Sequence, residues 1–177
     1  MKRRCGCLDF NIKNSTEEET KMDLLPIMRS RKSVRTYTDQ PITQEQIDAL
    51  LQAAALAPTS RNRKPCKFYV ITDRVQLEAL SKAKQAGAAF TAGANAAIVT
   101  AADSELSDTW IEDSSIAMTY MMLEAEALGL GCCWVQMHLR FDADGNRAEE
   151  NVRELLNLPE RFRIVGFLAL GNRIIER

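Results

Sequence analysis

The chain has a single histidine, His138, among 177 residues. That excludes multi-histidine metal centres and leaves any histidine-based catalytic pair one candidate. A paired cysteine framework is lacking: the five cysteines, Cys5, Cys7, Cys66, Cys132 and Cys133, are odd in number and match no disulfide spacing, so a reducing, cytoplasmic setting is expected. Long apolar runs are missing. Residues 94–102 form one of the longest and are broken by Asn95 and Thr100, whereas a membrane span needs about 20 residues. The basic start Lys2-Arg3-Arg4 has no apolar segment behind it, so neither secretion nor a membrane partner is expected. No charge sign dominates: 23 Lys and Arg face 24 Asp and Glu, a net charge of −1. With no basic stripe interleaved with aromatics, no nucleic-acid partner is expected.

Catalytic signatures are equally sparse. No P-loop, His-Glu-x-x-His, Gly-x-Ser-x-Gly or Cys-x-x-Cys occurs. Gly129-Leu130-Gly131 is a Gly-x-Gly, but Trp134 stands where a third glycine is needed, and the pair follows a helix instead of a strand. A helix end and turn is the better reading. Cys5-Gly6-Cys7 lacks a second ligand pair, and Cys132 and Cys133, adjacent on a strand, point to opposite faces as buried thiols. His138 follows a strand end and is expected on the surface or in a loop. An enzyme with so few acid–base constellations would rely on a cofactor for its chemistry.

Positive charge is nevertheless concentrated. Eight of the 23 Lys and Arg lie in or beside two segments, Arg29-Ser30-Arg31-Lys32-Ser33-Val34-Arg35 and Pro58-Thr59-Ser60-Arg61-Asn62-Arg63-Lys64-Pro65. Guanidinium forks mixed with hydroxyl and amide donors suit a phosphate group. The alternative is a solvated surface.

Residues 1–21 are polar and aperiodic and read as a frayed tail, and Met22 begins a segment that looks like a natural start; residues 22–177 form the expected domain. Asp23 caps a short helix over 24–29. A capping box at Thr43 opens a second helix, with Ile47, Leu50, Leu51, Ala54 and Ala55 on one face, stopped by Pro58. Strands are predicted over 66–72, 96–102, 132–137 and 163–170. Helices are predicted from Asp73 to about residue 85, over 107–128 and over 147–156. The 107–128 helix is apolar around so much of its girth (Ile116, Tyr120 and Leu123, with Ile111, Ala117, Met121 and Met122) that it is expected to be central. The order α-α-β-α-β-α-β-α-β gives a layered α/β domain with about four strands.

Five stretches in order then resemble the nitroreductase family of FMN-dependent oxidoreductases. They are Arg31-Lys32-Ser33-Val34-Arg35; Ala57-Pro58-Thr59-Ser60-Arg61-Asn62-Arg63-Lys64-Pro65 with the following Lys67-Phe68-Tyr69-Val70-Ile71; Trp110 and Asp113; Ala127 through Gln136; and Val152 through Glu160, before a closing Leu168-Ala169-Leu170-Gly171. The resemblance implies an α+β three-layer sandwich with a central, mostly antiparallel sheet flanked by helices. It implies a homodimer with FMN at the subunit interface.

By position, Arg31, Lys32 and Ser33 would hold the FMN phosphate and ribityl chain, and Arg35 would approach the N1–O2 edge. Pro58, Thr59, Ser60 and Asn62 would reach the flavin of the partner subunit, and Trp134, Val135 and Gln136 would run past N5 and O4. Arg173 or Arg177 would bring a further positive charge to the phosphate. The implied reaction is ping-pong: NADH or NADPH reduces the flavin, and a small-molecule acceptor such as a quinone or nitroaromatic reoxidises it. Lys64 and Cys66 depart from the family's Gln and Trp, and the lost Trp implies looser packing. The lost Trp and the short C-terminal segment motivate an alternative, a flavin-binding carrier, sensor or accessory protein with little turnover.

Overall fold

The computed structural model describes residues 24–174; the tail, Cys5-Gly6-Cys7, the Asp23 cap and Arg177 lie outside the described residues. Local chemistry sets the elements. Helix α1 is Leu24–Ser30, and helix α2 is Gln44–Leu56. Thr43 opens α2 with the expected box: its hydroxyl accepts the Gln46 N–H at 3.3 Å, and Gln46 Oε1 accepts the Thr43 N–H at 3.0 Å. Ile47, Leu50 and Ala54 are its buried stripe, and Ala57 turns extended ahead of Pro58. Strand β1 (Cys66–Ile71), helix α3 (Arg74–Lys82) and strand β2 (Ala96–Asp103) follow. Helix α3 ends earlier than expected because the Gln85 N–H leaves for the Phe141 carbonyl, 3.0 Å away. Helix α4 (Trp110–Ala127), strand β3 (Leu130–Gln136), helix α5 (Ala148–Leu155) and strand β4 (Phe162–Asn172) complete the order.

The four strands pair β1-β2-β4-β3, antiparallel throughout. The alternation of helices and strands therefore does not build the parallel sheet of a βαβ protein, and the α+β sandwich is the fold. Strands β2 and β3 run the same way on either side of β4, so the chain must cross the full sheet between them. Helix α4, with 18 residues and hence about 27 Å long, is that crossover. Beside the Thr100/Ala101 step of β2, the register skips Val165 of β4. The bulge puts Ile164 on the same face as Phe167 and aims the Val165 carbonyl at the N–H groups of Met137 (2.9 Å) and His138 (3.0 Å).

One sheet face packs Leu77, Leu80, Ala148 and Val152 from α3 and α5; the other packs Leu50, Met118, Met121 and Ala125 from α2 and α4. The buried face of α4 runs Trp110, Asp113, Ser114, Ala117, Met118, Met121 and Ala125. This corrects the sequence reading: Ile111 and Tyr120 lie on the open side, 37% and 40% exposed, so α4 covers one sheet face and is not enclosed by this chain. Among the described residues no helix is long and apolar enough to cross a membrane.

Candidate functional site

The first basic segment lies along the free edge of β3. Ser33 forms a parallel bridge to Cys132, and the Val34 N–H donates to the Cys132 carbonyl at 2.9 Å. Val34 sits so close that a β-carbon on Gly131 would be 2.7 Å from its methyl group, so the second glycine of the Gly-x-Gly permits this approach. Gly129, at φ +72°, ends α4 as expected. The Tyr37 hydroxyl donates to the carbonyls of Val34 (2.8 Å) and Ala169 (3.1 Å), tying the segment to the sheet. Burial pushes the Tyr37 phenol well above its ordinary pKa, so it acts as a neutral donor.

Lys32, Ser33, Val34, Arg35, Thr36, Arg173 and Ile174 line an open cleft of about 690 Å³, a volume suited to a cofactor. Lys32, Ser33 and Arg35 are exposed. The Arg35 guanidinium lies 5.8 Å from the centre of the Phe90 ring. Lys32 and Arg35 make no ion pair with a carboxylate among the described residues, so their charge is available to a ligand. Arg31 is half-buried beside them. Arg173 stands at the cleft wall but is committed: it bonds the Leu130 carbonyl at 2.8 Å and forks onto the Glu126 carboxylate. Burial works against the Glu126 charge, but hydrogen bonds from Arg173 and Ser30, with the charges of Arg173 and Arg31, hold its carboxyl below the usual range.

Trp134, Val135 and Gln136 occupy the far half of β3. Val135 is buried in the core and offers a ligand only its backbone. The Cys132 carbonyl points away from β4, so by ladder alternation the peptide groups of Trp134 and Gln136 point outward too. The indole N–H of Trp134 donates to Gln136 Oε1 at 2.8 Å, and the Gln136 amide donates to the His138 carbonyl at 3.1 Å. Lys84, which the sequence reading passed over, caps the Gln136 carbonyl at 3.2 Å. Burial, reinforced by Arg140, pushes the Lys84 ammonium pKa down.

Pro58, Thr59, Ser60 and Asn62 do not join this cleft. They precede β1, at the opposite edge of the sheet, three strand spacings or roughly 14 Å across. Residues Ser60–Asn62 form a 3₁₀ turn with Arg61 and Asn62 at φ +52° and +54°, and Lys64 is at +49°. Asp113, to which the sequence gave no role, accepts the Ser60 N–H at 2.9 Å. Beside the turn, a cavity of about 160 Å³ is lined by Ala54, Ala57, Thr59, Cys66, Phe68 and Ala117. Cys66, where the resemblance expects a Trp, is part of its wall.

His138 is in a turn, as expected, but not at the surface. Its side chain is 15% exposed, edge-on to Trp110 and 3.7 Å from the Glu149 carboxylate. Cys132 and Cys133 are both buried, on opposite faces of β3.

Residues 28–172 match the model of the Nitroreductase family. An Archaeoglobus fulgidus protein, provisionally named NADH dehydrogenase/NAD(P)H nitroreductase, is 35% identical over 153 residues, spanning 84% of each chain. An FMN-dependent nitroreductase structure from Clostridium difficile is 36% identical and superposes with a TM-score of 0.83, covering 86% of this chain and 89% of that one. A Desulfovibrio desulfuricans protein, provisionally called a nitroreductase and solved in complex with FMN, is 26% identical with a TM-score of 0.70, covering 87% and 91%.

Proposed function

This chain belongs to the nitroreductase family, and on that premise we propose that it is an FMN-dependent oxidoreductase passing electrons from NADH or NADPH to a small-molecule acceptor, such as a quinone or nitroaromatic, by a ping-pong reaction. The observation that carries the reading is the cleft at the β3 edge, where Lys32, Ser33 and Arg35 present unpaired donors and positive charge.

FMN, when bound, supplies the hydride acceptance and donation at its ring. The chain supplies the rest. Arg31, Lys32 and Ser33 bind the phosphate and ribityl chain through charge-assisted hydrogen bonds. Arg35 places positive charge where reduction leaves negative charge on the ring, which raises its reduction potential. The outward peptide groups of Trp134 and the outward N–H of Gln136 would give the ring edge fixed donors and an acceptor, the Gln136 carbonyl being taken by Lys84. Arg173, neutralised by Glu126, shapes the cleft wall and has spare N–H donors for the phosphate end.

Pro58, Thr59, Ser60 and Asn62 serve the site of a second copy. The placement of the two segments at opposite edges of the sheet supports that division. The open apolar side of α4, with Leu24, Leu25 and Met28 exposed on α1, suits the same homodimer.

The test is the visible spectrum of protein reconstituted with FMN, gel-filtered and mixed anaerobically with NADH or NADPH. A flavin band on a dimer-sized peak that bleaches promptly is expected. A retained band that does not bleach would favour a flavin carrier or sensor, and no retained flavin would overturn the reading.

A further inference from the structure

Asp113 lies in the first turn of α4 and is 2% exposed. A buried carboxylate needs partners, and all of its partners lie toward the chain segments in front of the helix. Oδ2 accepts the hydroxyls of Ser107 at 2.8 Å and Thr109 at 3.3 Å. Oδ1 accepts the backbone N–H of Ser60 at 2.9 Å, 53 residues away in sequence. The N-terminal end of α4 favours the negative charge as well.

The Ser60 turn needs holding. Arg61, Asn62 and Lys64 all sit in the left-handed region; Asn adopts it readily, but Arg and Lys rarely do unless their surroundings enforce it. Three tethers enforce it here. Thr59 Oγ1 accepts the Lys64 N–H at 3.0 Å, Arg63 donates to the Leu106 carbonyl at 3.0 Å, and Asp113 takes Ser60. Asp113 is the only one of these anchors that is buried and ionisable, and it joins the turn to the loop in front of α4.

We propose that Asp113 is a positioning residue for flavin binding, holding residues 58–62 in the conformation in which they meet the flavin bound by a second copy of the chain. It acts through Ser60 and touches neither flavin nor substrate. This rests on the functional reading above. It predicts that the carboxylate affects cofactor affinity and ring environment more than it affects the folding of the rest of the domain.

The test compares the parent dimer with Asp113→Ala, Asp113→Asn and Ser107→Ala, measuring FMN dissociation constant, the visible circular dichroism of the bound flavin, the kcat and KM for the acceptor, and melting temperature without FMN. Asp113→Ala should weaken FMN about tenfold or more and alter the flavin dichroism. Asp113→Asn, which keeps an acceptor oxygen for Ser60, should recover most of the affinity. An Asp113→Ala protein that melts earlier but binds FMN within twofold of the parent would show a purely structural role and overturn the inference. Should Asp113→Ala not fold, Ser107→Ala decides: FMN weakened about threefold supports the inference, and unchanged affinity overturns it. A parent that binds no FMN would overturn the functional reading and this inference together.

Discussion

The ring of Tyr37 lies where a side chain on Gly171 would have to be: a β-carbon there would approach Tyr37 Cδ1 to 2.5 Å and Asn95 Oδ1 to 2.7 Å. The absence of a side chain at one position of β4 thus lets Tyr37 reach the Val34 and Ala169 carbonyls and fasten the basic segment to the sheet. Gly171→Ala is expected to displace Tyr37, destabilise the protein by about 1–3 kcal/mol and weaken FMN. Thermal melts and flavin titration check this. Tyr37→Phe, which keeps the ring and loses both hydrogen bonds, should weaken FMN with a smaller loss of stability.

Arg35 makes a ring-face contact to Phe90 and, among the described residues, has no carboxylate partner. Arg35→Gln is expected to lower the two-electron reduction potential of bound FMN by on the order of 30 mV, equivalent to ~1.4 kcal/mol. Dye-coupled anaerobic reduction gives the value, and a potential unchanged from the parent would remove Arg35 from the ring.

Glu149 is a buried carboxylate, 4% exposed, gripped by Arg163 at 2.7 and 3.0 Å. Burial raises its pKa, but the Arg163 hydrogen bonds and charge outweigh this and hold it below the ordinary value. A depressed carboxyl contributes stability that is present in full above the unfolded value near ~4.3 and is lost as pH falls through the lower folded value. Glu149→Gln, which leaves Arg163 unpaired, should cost about 3 kcal/mol at pH 7. Its melting temperature should converge on that of the parent as pH falls from ~5 toward ~3; parallel curves would contradict the assignment.

Burial pushes the Cys132 thiol far above its ordinary pKa, so the native protein should leave Cys132 unalkylated by iodoacetamide at pH 7.5. Peptide mass mapping before and after denaturation reads this directly. Rapid labelling of Cys132 in the native protein would mean that the β3 edge opens under the basic segment.

Much of this was legible in the chain because it was locally encoded. The Thr43 box, the Pro58 stop, the Gly129 helix end and all four strands follow from short-range chemistry. The basic segments announced themselves through charge. What stayed hidden depends on contacts distant in sequence. Asp113 belongs to one of the family-like stretches but has no legible role until Ser60 is seen against it. The buried stripe of α4 was misplaced because both sides of the helix are apolar, and periodicity cannot say which side the sheet takes. His138 read as a turn residue, and only the packing of Trp110 and Glu149 around it reveals its burial. The antiparallel sheet was carried by the family resemblance, since alternating helices and strands describe either direction.

The central claim is a flavin site divided between two chains, with residues 31–35 from one and 58–62 from the other. Mixed dimers of Arg31→Glu and Ser60→Glu chains test it most directly, each variant alone being expected to retain no FMN at a concentration that saturates the parent. A mixed dimer has one site carrying both substitutions and one site carrying neither, so the account predicts one FMN per mixed dimer. Mixed dimers that bind no FMN would place both segments in the site of a single chain and contradict it.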